Sequence, residues 1–369
     1  MTGDRRTATR GMLAAAANAT ALLVVGCSIA HAKAMLSEDA VIIEGAKNTA
    51  ATVAEDVANP AVFSYSPGIG RIVVTRSMVI AGEFQLGSPE EWDGLLKYAV
   101  VMELDVTKCG SARIQVVRRS DGVGHLRLYR ARITSTHRTK DLDECKDANL
   151  LSVAGKLTME DSAITGNINV RYEPGAEVSL KRSSVSFTRA SGMEMVGVDP
   201  RRMSIGGSSS VDNGLYGISV TRLLSSPLEV VGTVFRGLAA DVFDGGDADV
   251  VLTDCDFKTV RFGGRSGSVR RRWTVTCHLP HTGAEVVAKS LPGSGGAEEV
   301  RGRAGPNGAC KLALTEYVAT PDTPLPVDGR NKLTPHELTV YDRPGGGALL
   351  RLKGLHVFMP GQEVRLDAR

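Results

Sequence analysis

The stretch Leu157-Thr-Met159-Glu-Asp161-Ser162-Ala-Ile164 is followed by Val178-Ser-Leu180-Lys-Arg182-Ser183-Ser-Val185. Both obey one frame: apolar, any, apolar, two of any type, a small residue, any, apolar. The frame also fits Leu126, Leu128, Ala131, Ile133; Leu228, Val230, Thr233, Phe235; and Val250, Leu252, Cys255, Phe257. A weaker copy, Met203, Ile205, Ser208, has Ser210 where the last apolar residue belongs, and an outlying copy reads Ile72, Val74, Ser77, Val79. From position 126 the starts fall at 157, 178, 203, 228 and 250, steps of 31, 21, 25, 25 and 22 residues. Self-similarity at 20 to 30 residues marks a solenoid whose coils each cover the core of the next. Apolar residues two apart form a strand with one inward face, and the small residue stands where the chain turns toward the next strand. Stacking would align Ala131, Ser162, Ser183, Ser208, Thr233 and Cys255 in one ladder, making Cys255 a packed thiol.

Composition agrees with many short strands and turns. The 369 residues include 41 Gly and only 5% aromatics, with 42% hydrophobic and 23% charged residues, which argues against disorder. The net charge of +3 is too small to call for nucleic acid as a partner. Arg5 and Arg6 precede an apolar run from Met12 to Gly26, the layout of a secretory signal in residues 1–32. Ala30-His31-Ala32 offers a cleavage site ahead of Lys33. Val24-Val25-Gly26-Cys27 resembles a lipobox, which would lipidate Cys27 and give the only expected contact with a membrane. The two alternatives stand side by side. After cleavage Cys109, Cys145, Cys255, Cys277 and Cys310 remain, an odd number. Cys277 and Cys310 share the C-terminal block and are the expected disulfide.

The leucine-rich-repeat signature is missing, whereas Asp212-Asn213-Gly214-Leu-Tyr-Gly-Ile-Ser-Val220 is the turn-then-strand phrase of β-helix coils. On these residues the middle of the chain resembles the right-handed parallel β-helix family of pectate-lyase-like proteins. The expected organisation is all-β: an N-terminal cap over 33–69, a parallel β-helix over 70–268 and a β-sandwich over 269–369. The cap would include a helix within Ser37–Asn59 with Glu38 and Asp39 at its start. A Gly/Ser-rich stretch at 263–268 and the run Arg270-Arg271-Arg272 read as a linker with solubilising charge. Beyond it, strand alternation appears at Trp273/Val275/Cys277, Val286/Ala288, Leu312/Leu314, Leu338/Val340 and Val364/Leu366, with Gly- and Pro-rich turns between. With Gly283-Ala-Glu-Val286, Asn307-Gly308 and Leu333-Thr-Pro-His336, this block resembles the carboxypeptidase-regulatory-like, or transthyretin-like, domains. It departs from them at His278-Leu-Pro-His281, where an acidic residue is usual. That resemblance implies structure or adhesion and transfers no catalytic residue.

Chemistry is sparse. The polygalacturonase signatures, the G-x-S-x-G elbow and a dinucleotide loop are all missing from the sequence. Charged residues just outside the repeat strands, Arg130, Asp161, Arg182 and Asp254, would form a surface ladder. A lyase would use Arg182 or Lys181 as base beside Asp161. Asp244-Gly-Gly-Asp247-Ala-Asp249 could present carboxylates to calcium, although the spacing is not that of an EF-hand; no other cofactor is expected. Two readings follow. The first is an exported, secreted or periplasmic surface protein without enzymatic activity, structural or in contact with a glycan such as envelope polysaccharide. Its rival is a polysaccharide lyase or glycoside hydrolase acting on an acidic polysaccharide along the solenoid face.

Overall fold

The computed structural model describes residues 33–88, 98–105, 112–135, 149–225, 227–291 and 296–366. The expected leader with Cys27 and the expected cleavage site at Ala30–Ala32, and Cys109 and Cys145, lie outside the described residues. The chain is all-β with long parallel sheets. It visits three sheets in fixed order, as in Asn149–Val153, Lys156–Glu160 and Ala163–Thr165, before returning to the first sheet at Ile168–Tyr172. Each strand pairs in parallel with its equivalent one coil away, so that Leu157 stands beside Val178 and Val178 beside Met203. This is the arrangement of a β-helix-like solenoid, and the 21- and 25-residue steps are its coils.

The repeat frame marks the passage from the second sheet to the third. From Leu126 to Leu252 both leading apolar members of every copy are buried, as are Ile133, Ile164, Val185, Phe235 and Phe257 on the third side. The outlying copy at Ile72 is out of phase. Ile72 and Val74 belong to the third sheet (Arg71–Val74), and the following strand, Ser77–Ile80, buries Met78 and Ile80 rather than Val79. The second-sheet strand of that coil is Glu83–Leu86, with Phe84 and Leu86 inward. All three sides alternate with period two, so one loose template also matches a different corner.

The N-terminal helix is shorter than expected. Ala40–Glu44 is a strand that buries Val41 and Ile43 and pairs in parallel with Ser77–Ile80, so parallel stacking begins at residue 40 rather than 70. Glu38 and Asp39 occupy the turn before it and do not start a helix. The helix is Ala50–Val57. Thr49 caps it: the Thr52 N–H donates to the Thr49 hydroxyl, and the Thr52 hydroxyl oxygen accepts from the Thr49 N–H. Ala50, Val53 and Val57 are buried against the solenoid core, closing its first coil with apolar surface.

At the other end the expected linker is replaced by continuous sheet. Gly263 and Gly264 are packed tightly, a Cβ on Gly264 falling 2.4 Å from the Gly246 carbonyl oxygen. The strand Ser268–His278 first pairs in parallel with Asp249–Thr253 as the last coil. Along nearly its whole length it also pairs antiparallel with Ala309–Ala319. It therefore crosses the boundary expected at 268, and Trp273 sits in mid-strand. The arginines are strand residues, not a solubilising linker. Arg271 places its guanidinium 4.7 Å from the Phe257 ring centre and 4.6 Å from that of Trp273. Trp273, Val275 and Cys277 face a second core with Val286, Leu312, Leu338 and Val340. A four-stranded antiparallel sheet covers this core, in the order Glu299–Arg303, Glu285–Ser290, His336–Tyr341, Ala348–Leu355.

Candidate functional site

The corner between the second and third sheets is built by one repeated device. Arg130, Asp161, Arg182, Gly207, Gly232 and Asp254 occupy equivalent positions, and all have left-handed backbones, with φ from 47° to 61°. Such a residue reverses the chain within one position, which explains glycine in two coils and strain in the other four. Its N–H stays in the ladder: Asp161 donates to the Lys181 carbonyl at 3.1 Å, and Gly232 to that of Thr253 at 2.8 Å. The small residue that follows does more than avoid a clash. The Ser183 hydroxyl donates to the Lys181 carbonyl at 3.0 Å and accepts from the Ser162 N–H of the preceding coil at 3.3 Å. Ser162 and Ser208 repeat the pattern with the N–H groups of Ala131 and Ser183. Size and hydrogen bonding together select serine here.

The candidate lyase residues do come together, as an ion-pair cluster. Arg182 grips Asp161 through Nε–Oδ1 and Nη2–Oδ2 bonds of 2.7 Å each, and Nη2 also reaches Glu160 Oε1 at 2.8 Å. Lys181 Nζ lies 2.8 Å from the same Glu160 oxygen. Lys181 and then Arg182 hold the Glu160 carboxyl below the usual carboxylate range, and Arg182 does the same for Asp161. Asp161 and Glu160 in turn push Arg182 still higher, away from any role as proton acceptor. A shallow groove of about 440 Å³ runs beside the cluster, lined by Tyr98, Arg182 and serines of the ladder.

The aspartates proposed for calcium do not converge. Asp244 is buried, its Oδ1 accepting from the Gly246 and Ala248 N–H groups, while its Oδ2 meets no partner. Burial pushes its carboxyl up to about 6. Asp249 instead accepts from the Ser268 hydroxyl at 2.6 Å. Among the described residues no group of three or more His, Cys, Asp or Glu side chains could hold a metal ion.

Cys277 and Cys310, the expected disulfide, are buried free thiols at directly opposed positions of the antiparallel pair. Cys255 is packed in the serine ladder, as expected, and burial raises its thiol to about 11.

A further concave site carries no motif that marks it as a site in the sequence. A cleft of about 550 Å³ opens where the third sheet turns back to the first, between Phe187, Arg189, Asp212 and Leu238. Its floor is a polar knot: Ser210 donates to the Gly217 carbonyl at 2.6 Å, Asn213 Nδ2 to Ser210 at 3.1 Å, and the Thr188 hydroxyl to Asn213 Oδ1 at 3.0 Å. Arg236 and Asp241 close the floor and are held from within, Arg236 by Asp256 and Asp241 by the N–H groups of Gly237 and Lys258. The loss of the apolar residue at Ser210 is the sequence trace of this site. Phe187, beside the turn signals Asp212-Asn213-Gly214 only in three dimensions, had no signal of its own.

Fold and geometry thus define the class: an all-β chain of parallel sheets, compatible with a β-helix-like solenoid, with a mixed apolar and polar corner cleft. No protein-family model matches the chain, and no curated protein or solved structure matches it.

Proposed function

We propose that this chain is an exported, non-enzymatic surface or periplasmic protein. In this reading a right-handed, pectate-lyase-like β-helix carries a carboxypeptidase-regulatory-like β-sandwich and serves a structural or glycan-contacting role. The observation that carries it is the bidentate pair of Arg182 with Asp161, tied further to Glu160 and Lys181. A lyase needs a group able to take a proton beside its substrate, and these candidates are committed to one another. Such a ladder of opposite charges is what stacked coils need to avoid like-charge repulsion at a strained corner.

The test is incubation of the purified chain with a panel of acidic polysaccharides, followed by assays for unsaturated and reducing ends. No product is expected. Product formation that Arg182→Ala abolishes would overturn this reading in favour of the polysaccharide lyase or hydrolase. Export is checked by locating the chain in cell fractions and by mass analysis of its N-terminus, which separates cleavage before Lys33 from lipidation at Cys27.

A further inference from the structure

Phe187 is in the wrong place for a residue with only a structural task. The pairing of Thr165 with Ser186, and of Ser186 with Val211, makes Gly166, Phe187 and Asp212 equivalent corner positions. All three have left-handed backbones, with φ of 78°, 57° and 56°. Glycine satisfies that demand without strain, and aspartate tolerates it; a bulky aromatic residue does neither. Phe187 nevertheless accepts it, and the residue is 50% exposed. Leu238, which lines the same cleft, is 89% exposed, so two large apolar side chains face water in one concavity. Strain combined with exposed apolar surface is retained where the surrounding fold holds a residue for a partner.

The polar groups narrow the partner. Asn213, Arg236 and Asp241 are engaged in the floor, and Arg189 at the rim is engaged as well. Asp212 is different: its exposed carboxylate has no hydrogen-bond or ion-pair partner among the described residues. An aromatic face attracts the weakly positive C–H groups of a ring laid upon it. A carboxylate is acceptor-only and suits two adjacent hydroxyl donors. A pyranose ring supplies both faces of that chemistry. An acidic sugar would bring a second negative charge to an uncompensated one.

We propose that this cleft binds a neutral glycan, one pyranose ring resting on Phe187 and Leu238 with adjacent hydroxyls donating to Asp212. The assignment rests on the glycan-contacting reading above and adds to it a site and a charge class. The experiment is calorimetric titration of the full chain with neutral glucan, mannan and galactan oligosaccharides and, separately, with oligogalacturonate and alginate oligosaccharides. Each is repeated with Phe187→Gly and Asp212→Asn, with thermal melting as the control for folding. Glycine is already present at the equivalent corner, so Phe187→Gly should melt no lower than the parent while losing neutral-glycan binding. Either variant should weaken binding about tenfold or more. Binding of glycans that neither variant alters, or binding of the acidic oligosaccharides alone, would overturn the cleft assignment and leave the glycan-contacting reading standing. No binding of any of these glycans overturns both.

Discussion

The backbone N–H of Thr233 points at the sulfur of Cys255 in the next coil, at 3.5 Å, while that sulfur lies 3.3 Å from the Thr253 carbonyl. The thiol thus occupies the place that serine hydroxyls fill at 162, 183 and 208, at the longer distances sulfur requires. Cys255→Ser should keep both contacts and change unfolding stability by less than about 1 kcal/mol, whereas Cys255→Leu should cost about 1–3 kcal/mol by overpacking. Urea unfolding of the two variants checks this. The raised thiol value also predicts that Cys255 resists alkylation in the folded protein and reacts on unfolding.

In the same ladder Ser183 serves two coils, accepting from Ser162 and donating within its own. Ser183→Ala leaves a buried N–H without its acceptor, and should cost about 1–3 kcal/mol in equilibrium unfolding. An unchanged midpoint would mean that the small size of this residue is all the corner requires.

The pairing of Asp161 and Glu160 with Lys181 and Arg182 predicts an acid-side effect. Their carboxyls titrate lower in the folded chain than in the unfolded one. The associated stability is present above the ordinary carboxylate range and is lost as pH falls through the lowered folded values. Arg182→Ala should therefore lower the melting temperature slightly at neutral pH, less so in high salt, and converge with the parent in strong acid.

Asp244 predicts the opposite slope. Its folded carboxyl, pushed up to about 6, binds a proton more tightly than the unfolded one. The folded state is relatively favoured below the ordinary aspartate value, and this advantage is lost as pH rises to about 6. Asp244→Asn keeps an oxygen for the Gly246 and Ala248 N–H groups. It should melt higher than the parent at pH 8, by more than at pH 4, in paired thermal scans. Calcium and chelator should shift neither protein, and a calcium-dependent rise in the parent's melting temperature would restore the metal reading of Asp244, Asp247 and Asp249.

Cys277 and Cys310 face each other across paired strands, a separation compatible with a disulfide. Exposure to an oxidised dithiol should close the bond, read as loss of two alkylatable thiols once the protein is unfolded without reductant. The closed loop of about thirty residues should add about 3–4 kcal/mol that reductant removes. Cys277→Ser should make stability indifferent to reductant.

How much was legible beforehand follows from where each signal lies. The second-sheet strands and the ladder from Ala131 to Cys255 were readable because their apolar and small residues recur in one chain-local frame. So were the strand pairs around Val286, Leu312, Leu338 and Val340, each an alternation of a few residues. The early coils are not legible in one dimension because Val41 and Ile43 look like part of a helical stretch until parallel pairing with Met78 and Ile80 fixes their period. The Gly263–Ser268 segment looked like a linker because glycine needed for close packing and glycine needed for freedom read alike in one dimension.

By itself, the sequence determined that this chain is all-β and stacked in coils of 20 to 30 residues, since period-two burial and a recurring small residue are local constraints. Only the tertiary structure decided what the charged corner and the cleft are. It joined Arg182 to Asp161 twenty-one positions away, and it gathered Phe187, Asp212 and Leu238 into one cleft. Those relations come from the lateral register of successive coils, which is fixed by the hydrogen-bond ladders between them and leaves no mark in any single coil.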